Sequence, residues 1–325
     1  MGVMSMMIVN CLPLTDKEQQ AFVTAAGNIE QHFVGDIRQR GTMVWRADVP
    51  ADLRSHATAV IGNIPPSECA DYPQLEWLQT WSAGVDKYVA PGVLNERAHI
   101  TNASGAYGQT VSEHLFAMMW SLMKNLPMYA RQQEDERWHD LGAALSPCGA
   151  TVLVIGTGDI GSHFARLCKA VGAHTVGVRR NASKLADGID EMHGFDELDG
   201  LLPQADVVAL IVPAADDTYH LIDGRRLTLM KSTAILLNAG RGTAIDSRAL
   251  DRALSEDQLH GVGLDVTEPE PLPAGDPLWQ QPHCLITPHV AGGNHLAVTE
   301  QRIIDIALRN VAHYAAGEPL DNVRR

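Results

Sequence analysis

The sequence predicts an α/β protein of two domains, each built on a parallel sheet flanked by helices. Three observations predict it. Short aliphatic runs alternate with amphipathic helical stretches along the chain. Several runs in the second half are apolar at nearly every position, as expected of strands covered on both faces. The chain is also 325 residues long, which exceeds the usual size of one domain.

The elements follow in order. Residues 1–14 are apolar but carry no basic leader and no small-residue cleavage site, so residues 6–11 read as an opening strand rather than an export signal. Thr15 with Glu18 three positions on is a capping box for the helix TDKEQQAFVTAA. Strands are predicted in IEQHFVGD, in HATAVIGN (ending near Gly62 and Asn63), in LEWLQTWSAG and in HITNAS. After the turn GAYGQ, Val111, Leu115, Met118, Met119 and Leu122 recur at helical spacing. They predict a long helix with a core-facing stripe, placed to link the domains and to cover a partner subunit. ATVLVIG (residues 150–156) is the first of the buried strands. HTVGV, ADVVALIV, TAILLN, HGVGLDV and HCLITPH follow, starting at His174, Ala205, Thr233, His260 and His283. Between the first two, Ile160, Phe164, Leu167, Cys168 and Val171 define one helical face, closed by Gly172.

Composition narrows the function. Hydrophobic residues make up 45% and charged residues 20%, a globular mixture, and no apolar run approaches the roughly 18 residues of a membrane span. The net charge of −14 argues against a nucleic-acid partner, which needs a basic face. The five cysteines are scattered with no Cys-x-x-Cys pair, which fits free thiols in a reducing cytoplasm. The 14 histidines show no metal-ligand spacing, so no metal site is expected.

Gly156-Thr157-Gly158-Asp159-Ile160-Gly161 is a G-x-G-x-x-G that follows a predicted buried strand and opens an amphipathic helix. That context makes it a dinucleotide-binding turn. Gly156 permits the tight bend, Gly158 lets the backbone approach a pyrophosphate, and Gly161 lets helix and strand pack closely. The helix N-terminus offers unpaired N–H groups to phosphate. The next strand ends in Arg179-Arg180-Asn181-Ala182-Ser183, where an NAD enzyme usually places an acid about 20 residues past the loop. Arg179 and Arg180, with Ser183, suit a 2′-phosphate instead, which predicts preference for NADP(H), with NAD(H) as the second cofactor.

Three further segments stand at predicted strand ends, the edge where open α/β sheets bind ligands. They are Leu237-Asn238-Ala239-Gly240-Arg241-Gly242, the run from Gly263 to Pro271 (GLDVTEPEP), and Thr287-Pro288-His289-Val290-Ala291-Gly292-Gly293. With WSAGVDKY near Ser82, VSEH at Val111, GTGDIG, the pair Val212-Pro213 and GLDVTEPEPLP, they occur in an order that resembles the D-isomer-specific 2-hydroxyacid dehydrogenase family over nearly the whole chain. The nearest group within it is the glyoxylate/hydroxypyruvate reductases.

The resemblance implies two doubly wound parallel-sheet domains, a Rossmann cofactor domain over 103–292 and a smaller flavodoxin-like substrate domain over 1–102 plus 293–325. It implies NADPH-linked reduction of a small 2-oxo acid to a D-2-hydroxy acid, in a cleft whose closure excludes water, by a cytoplasmic homodimer. Arg241 resembles the substrate-binding arginine, His289 the catalytic histidine, and Glu270 its acidic partner, with Glu268 as the rival. The chemistry needs these types: a guanidinium binds a carboxylate and polarises the adjacent ketone, and an imidazolium, favoured by a neighbouring carboxylate, supplies the proton. Ser82, Ala83 and Gly84 resemble the loop whose backbone N–H groups hold the substrate carboxylate. Ile61, Gly62 and Asn63 are candidates to shape the pocket, and Tyr107 is a further candidate near the hinge. Asp265 resembles the residue on the nicotinamide side of the cofactor, and Val212, Pro213, Thr218, Ala239 and Gly292 are further candidates for the cofactor surface. Two alternatives stay open: a non-enzymatic nucleotide-sensing scaffold of the same fold, and a short phosphoglycerate or formate dehydrogenase-type relative.

Overall fold

The computed structural model describes residues 6–325. The first five residues of the apolar N-terminal stretch lie outside them. The chain divides into two compact units, Met1–Tyr107 with Gly293–Arg325, and Gly108–Gly292. Residues 103–107, placed in the second domain on sequence, fall in the first unit. There Ala103 N donates to Ser82 O and Tyr107 Oη donates to Trp81 O.

In chain order the first unit contains β1 (Met7–Asn10), α1 (Asp16–Ala26), β2 (Glu30–Phe33), α2 (Ala51–His56), β3 (Ala59–Ile61), β4 (Trp77–Gln79), α3 (Asp86–Val89) and β5 (His99–Thr101). The strands form one parallel sheet in the order β2-β1-β3-β4-β5. The capping box is present: Glu18 N donates to Thr15 Oγ1 at 3.3 Å and Thr15 N donates to Glu18 Oε2 at 2.7 Å, which fixes where α1 begins. Val9, Val60, Leu78 and Ile100 build the core of one sheet face with Tyr72 and Leu75.

The second unit opens with α4 (Gly108–Met123) and α5 (Leu126–Glu134). It continues through β6 (Thr151–Ile155), α6 (Asp159–Ala170), β7 (His174–Val178), β8 (Glu191–His193), α7 (Leu198–Leu201), β9 (Val207–Leu210), α8 (Gly224–Leu229), β10 (Ile235–Asn238), α9 (Ser247–Ser255), β11 (Gly261–Leu264) and β12 (Cys284–Ile286). The chain then closes on α10 (Ala297–Ala316), which packs on α1 in the first unit. The seven strands form a parallel sheet in the order β12-β11-β10-β9-β6-β7-β8, so strand order reverses between β6 and β9. β9, β10 and β11 are buried at every position, which explains their all-apolar sequences. Val111, Leu115, Met118, Met119 and Leu122 of α4 are all buried, as the stripe predicts. Gly263 is glycine because α4 lies on the sheet there: a Cβ would sit 2.9 Å from Leu237 Cδ2 and 3.4 Å from Met118 Cβ.

Both sheets are therefore doubly wound and parallel, and each predicted strand is present. β8 was not predicted; Glu-Met-His at a half-exposed sheet edge carries no apolar pattern to reveal it. Among the described residues, no helix is long and apolar enough to cross a membrane.

Candidate active site

The glycine turn joins β6 to α6. Gly156 has φ +100°, and a Cβ on it would lie 2.2 Å from Ile211 O; a Cβ on Gly161 would lie 2.1 Å from Gly156 O. Both glycines are required by the protein's own packing. Gly158 differs: a Cβ there would meet no atom within 4 Å, and this residue caps α6 without a side-chain bond. Among the described residues nothing demands glycine at 158, whereas backbone approach by a phosphate would. Thr157 is buried, with its hydroxyl 3.9 Å from Met192 Sδ, and the Asp159 carboxylate lies 3.4 Å from His163 Nδ1. Ile160 is half-buried. The turn thus offers backbone rather than side chains, and it fits a dinucleotide.

Beyond β7, Arg179 folds back, donating from Nε to Asn181 O at 2.7 Å and from Nη2 to Lys184 O. Arg180 is exposed and bidentate to Asp217, at 2.9 and 2.7 Å. Hydrogen bonding and charge within that pair hold the Asp217 carboxyl below its ordinary range. Ser183 Oγ donates to Asn181 Oδ1 at 2.6 Å. In the loop after β9, Val212 is buried and Pro213 exposed, while the buried Thr218 hydroxyl staples the loop through Pro213 O at 2.8 Å.

The loops after β10, β11 and β12 carry the side chains that the sequence singles out as candidate catalytic residues. Asn238 ends β10 wholly buried. Its Nδ2 donates to Arg241 O at 2.9 Å and its Oδ1 accepts from Gly240 N at 3.0 Å, which shapes the turn bearing Arg241. A Cβ on Gly240 would lie 2.6 Å from Val212 O, and one on Gly242 would lie 1.9 Å from Thr267 O. The loops after β9, β10 and β11 therefore meet backbone to backbone, and Ala239 sits half-buried among them. Arg241 Nη1 donates to Gly240 O at 2.7 Å.

Asp265, 2% exposed, turns its carboxylate inward: it accepts from Thr287 Oγ1 at 2.6 Å, Val290 N at 2.9 Å and Ala291 N at 3.1 Å. Its carbonyl accepts from His289 N at 2.8 Å. The residue expected on the nicotinamide side thus binds the loop that presents His289; Gly292 closes that loop, half-buried. His289 has φ +54°, and its Nδ1 lies 2.5 Å from Glu270 Oε1. Against an ionised carboxylate Nδ1 is the donor, which leaves Nε2 to exchange a proton with a substrate. Glu268, the rival acid, is engaged elsewhere, with Oε2 3.1 Å from His220 Nε2.

In the first unit, the loop after β4 is pinned through every carbonyl. Trp81 O accepts from Tyr107 Oη at 2.6 Å, Ser82 O from Thr80 Oγ1 at 2.9 Å, Ala83 O from Asn102 Nδ2 at 2.5 Å, and Gly84 O from Ser82 Oγ at 2.8 Å. Asn63 Oδ1 accepts from Trp81 N at 3.0 Å. With the carbonyls turned inward, the N–H groups of Ser82, Ala83 and Gly84 make no hydrogen bond among the described residues. Successive free N–H groups form a nest for an anion. Ile61 is buried within β3, and Gly62, at φ +131°, would bring a Cβ to 2.7 Å from Cys11 Cβ, so both serve packing. Sequence reasoning found the loop and Tyr107 but not Asn102 or Thr80, nor Asn238; a buried polar residue at a strand end was the available signal.

The sequence matches the description "D-isomer specific 2-hydroxyacid dehydrogenase, NAD binding domain" over residues 116–291, more than half of the chain. The chain belongs to the D-isomer specific 2-hydroxyacid dehydrogenase family. It is an oxidoreductase of this type, using a nicotinamide dinucleotide. A glyoxylate reductase of Korarchaeum cryptofilum is 30% identical over 311 residues, covering 89% of each chain. A glyoxylate/hydroxypyruvate reductase B of an Enterobacter species is 30% identical over 254 residues, 75% of this chain and 78% of that one. A solved D-isomer specific 2-hydroxyacid dehydrogenase family protein of Aeromonas salmonicida superposes with a TM-score of 0.82 at 30% identity, covering 99% of both chains. The second unit is thus the dehydrogenase's dinucleotide-binding half, and the glycine turn lies at its strand-order reversal.

Proposed function

We propose that this dehydrogenase reduces a small 2-oxo acid, glyoxylate or hydroxypyruvate foremost, to the D-2-hydroxy acid with NADPH. The observation that carries the reading is the 2.5 Å contact between His289 Nδ1 and Glu270 on the loops neighbouring that of Arg241. Glu270 orients the imidazole, and Nε2 gives a proton to the ketone oxygen as negative charge develops there. Arg241 binds the substrate carboxylate and polarises the ketone. The first unit serves as the substrate domain, where the free N–H groups of Ser82, Ala83 and Gly84 hold the carboxylate. When bound, the reduced nicotinamide supplies the hydride. Gly156, Gly158 and Gly161 with the α6 N-terminus hold the pyrophosphate.

The NADP preference rests on Arg179 and Arg180 standing just past β7 with no acid at the strand end. A 2′-phosphate competes with Asp217 for Arg180, an exchange among exposed groups that costs little. Arg179→Asp should weaken NADPH binding by about 10-fold or more, because a charge-assisted bond to phosphate is replaced by repulsion. An unchanged NADPH Kd would overturn the preference. A cytoplasmic location and a homodimer through the long helix α4 belong to the same reading, and sedimentation tests the dimer.

The deciding experiment measures NADPH oxidation with glyoxylate, hydroxypyruvate and a bulkier 2-oxo acid, with chiral analysis of the product. Turnover of at least one acid to the D-product is expected; none with any of them would overturn the reading.

A further inference from the structure

α4 grips the loop that presents His289. Thr110 Oγ1 donates to Ala291 O at 3.3 Å, and one helical turn further on His114 Nε2 lies 3.0 Å from Thr287 Oγ1. Thr287 has a single hydroxyl proton, and the 2.6 Å contact commits it to the buried Asp265 carboxylate. His114 Nε2 must then be the donor to Thr287. That holds for the neutral Nε2–H tautomer and for the imidazolium alike. The imidazole also lies 3.8 Å from the Oδ1 of Asp265, which is 2% exposed.

The chain of bonds ends at His289. Asp265 accepts from Val290 N and Ala291 N on one side of the loop, and its carbonyl accepts from His289 N. His289 is held at φ +54°, a conformation few L-residues adopt. A carboxylate alone can shift as its hydroxyl partner rotates. A third member that locks the hydroxyl removes that freedom.

We propose that His114 is a positioning residue for the dehydrogenase reaction: through Thr287 and Asp265 it fixes the loop that holds His289 against Glu270. This rests on the assignment of His289 as proton donor. His114 itself touches neither reacting atoms nor substrate. The relay is invisible in the sequence, because His114 and Thr287 are 173 positions apart and neither spacing nor composition links them.

The test compares His114→Leu, His114→Gln and Thr287→Val in the full-length enzyme. Glutamine reaches Thr287 with an amide N–H and should restore the bond that leucine removes. His114→Leu and Thr287→Val should lower kcat by ~10- to 100-fold, the scale of a misplaced catalytic group, with NADPH Kd and KM each changed less than about three-fold. His114→Gln should recover most of the loss. Crystal structures should show the His289–Glu270 contact opened in the leucine and valine variants and kept in the glutamine variant. A folded His114→Leu or Thr287→Val with unchanged kcat and an intact contact would overturn the proposal. So would a loss that follows the fall in Tm equally in all three variants. Should the leucine variant not fold, Thr287→Val decides by the same criteria. If His289→Asn keeps full turnover, the proton-donor assignment fails instead, and the crystal contact still reports whether His114 holds the loop.

Discussion

The second unit holds two histidine–carboxylate pairs built from acids two residues apart in one loop. His289 meets Glu270 at 2.5 Å and His220 meets Glu268 at 3.1 Å. Both histidines have positive φ, +54° and +45°, and both pairs are partly exposed. Their surroundings differ. His220 is stacked on Tyr219 with ring centroids 4.0 Å apart, and its backbone N–H donates to Thr243 O, so this pair ties the loop after β9 to the segment after Arg241. The loop around His289 is clamped through Asp265 and α4, and the only bond its ring makes among the described residues is the one to Glu270. On the proposed reading, the same two side-chain types give a strap in one place and a proton-transfer pair in the other. The difference is what each ring has left to offer.

The comparison breaks most easily at His289. His289→Asn should lower kcat by ~10²- to 10⁴-fold, the usual worth of a general acid, while NADPH affinity measured by fluorescence titration stays within about three-fold. Equal losses in both would make this histidine a structural residue like His220. Glu270→Gln keeps the shape of the acid and removes its charge. A loss of about 10- to 100-fold in kcat is expected, because the imidazolium loses its partner while the ring keeps a neighbour to bond.

Sequence separated these two acids only through the resemblance of the Glu270 segment to a family. By residue type Glu268 was a rival, and the structure engages it with His220, 48 positions earlier and across a loop. Long-range pairings of this kind are set by which strand ends become neighbours, and periodicity does not carry that information. The sheets themselves were legible because burial on both faces makes β9, β10 and β11 uniformly apolar. β8 was not, since a polar three-residue edge strand is fixed by its neighbour and not by its own sequence. The glycine turn was legible in full: close packing at Gly156 and Gly161, and empty space at Gly158, are what the motif predicts. Asp265 was found, but its bonds to the His289 loop were not, because a carboxylate at a strand end gives no sign in the sequence that its lone pairs are filled from within.

The strap should yield a smaller effect. His220→Gln keeps a donor toward Glu268 and should leave kcat within about three-fold, since partly exposed pairs contribute little. A steady-state comparison with Glu268→Gln sharpens the distinction. If either variant loses as much turnover as Glu270→Gln, the two pairs act as one unit and the separation drawn above is wrong.

The smallest effect marks the other limit, a carboxylate whose partner is charged at every relevant pH. Hydrogen bonds from Lys169 and from Thr175 N push the Asp190 carboxyl down to about 2, and these bonds tie α6 and β7 to the entry of β8. The folded value lies below the unfolded one, near 3.8. The stabilisation is therefore complete above about pH 4 and disappears as pH falls through about 2. Solvent screening reduces it to about 1 kcal/mol at neutral pH. Asp190→Asn should accordingly lower Tm by ~2–4 °C at pH 7, leave kcat unchanged, and converge with the wild type toward pH 2. A Tm difference that persists undiminished at pH 2 would mean that the amide disturbs the fold by its shape and not by its missing charge, and thermal melts of the two proteins across that range distinguish the cases. A histidine–carboxylate pair cannot behave this way, because its cationic partner is discharged as pH rises through the imidazole's own range, so its strength fades at the alkaline end where the Asp190 contact is at full strength.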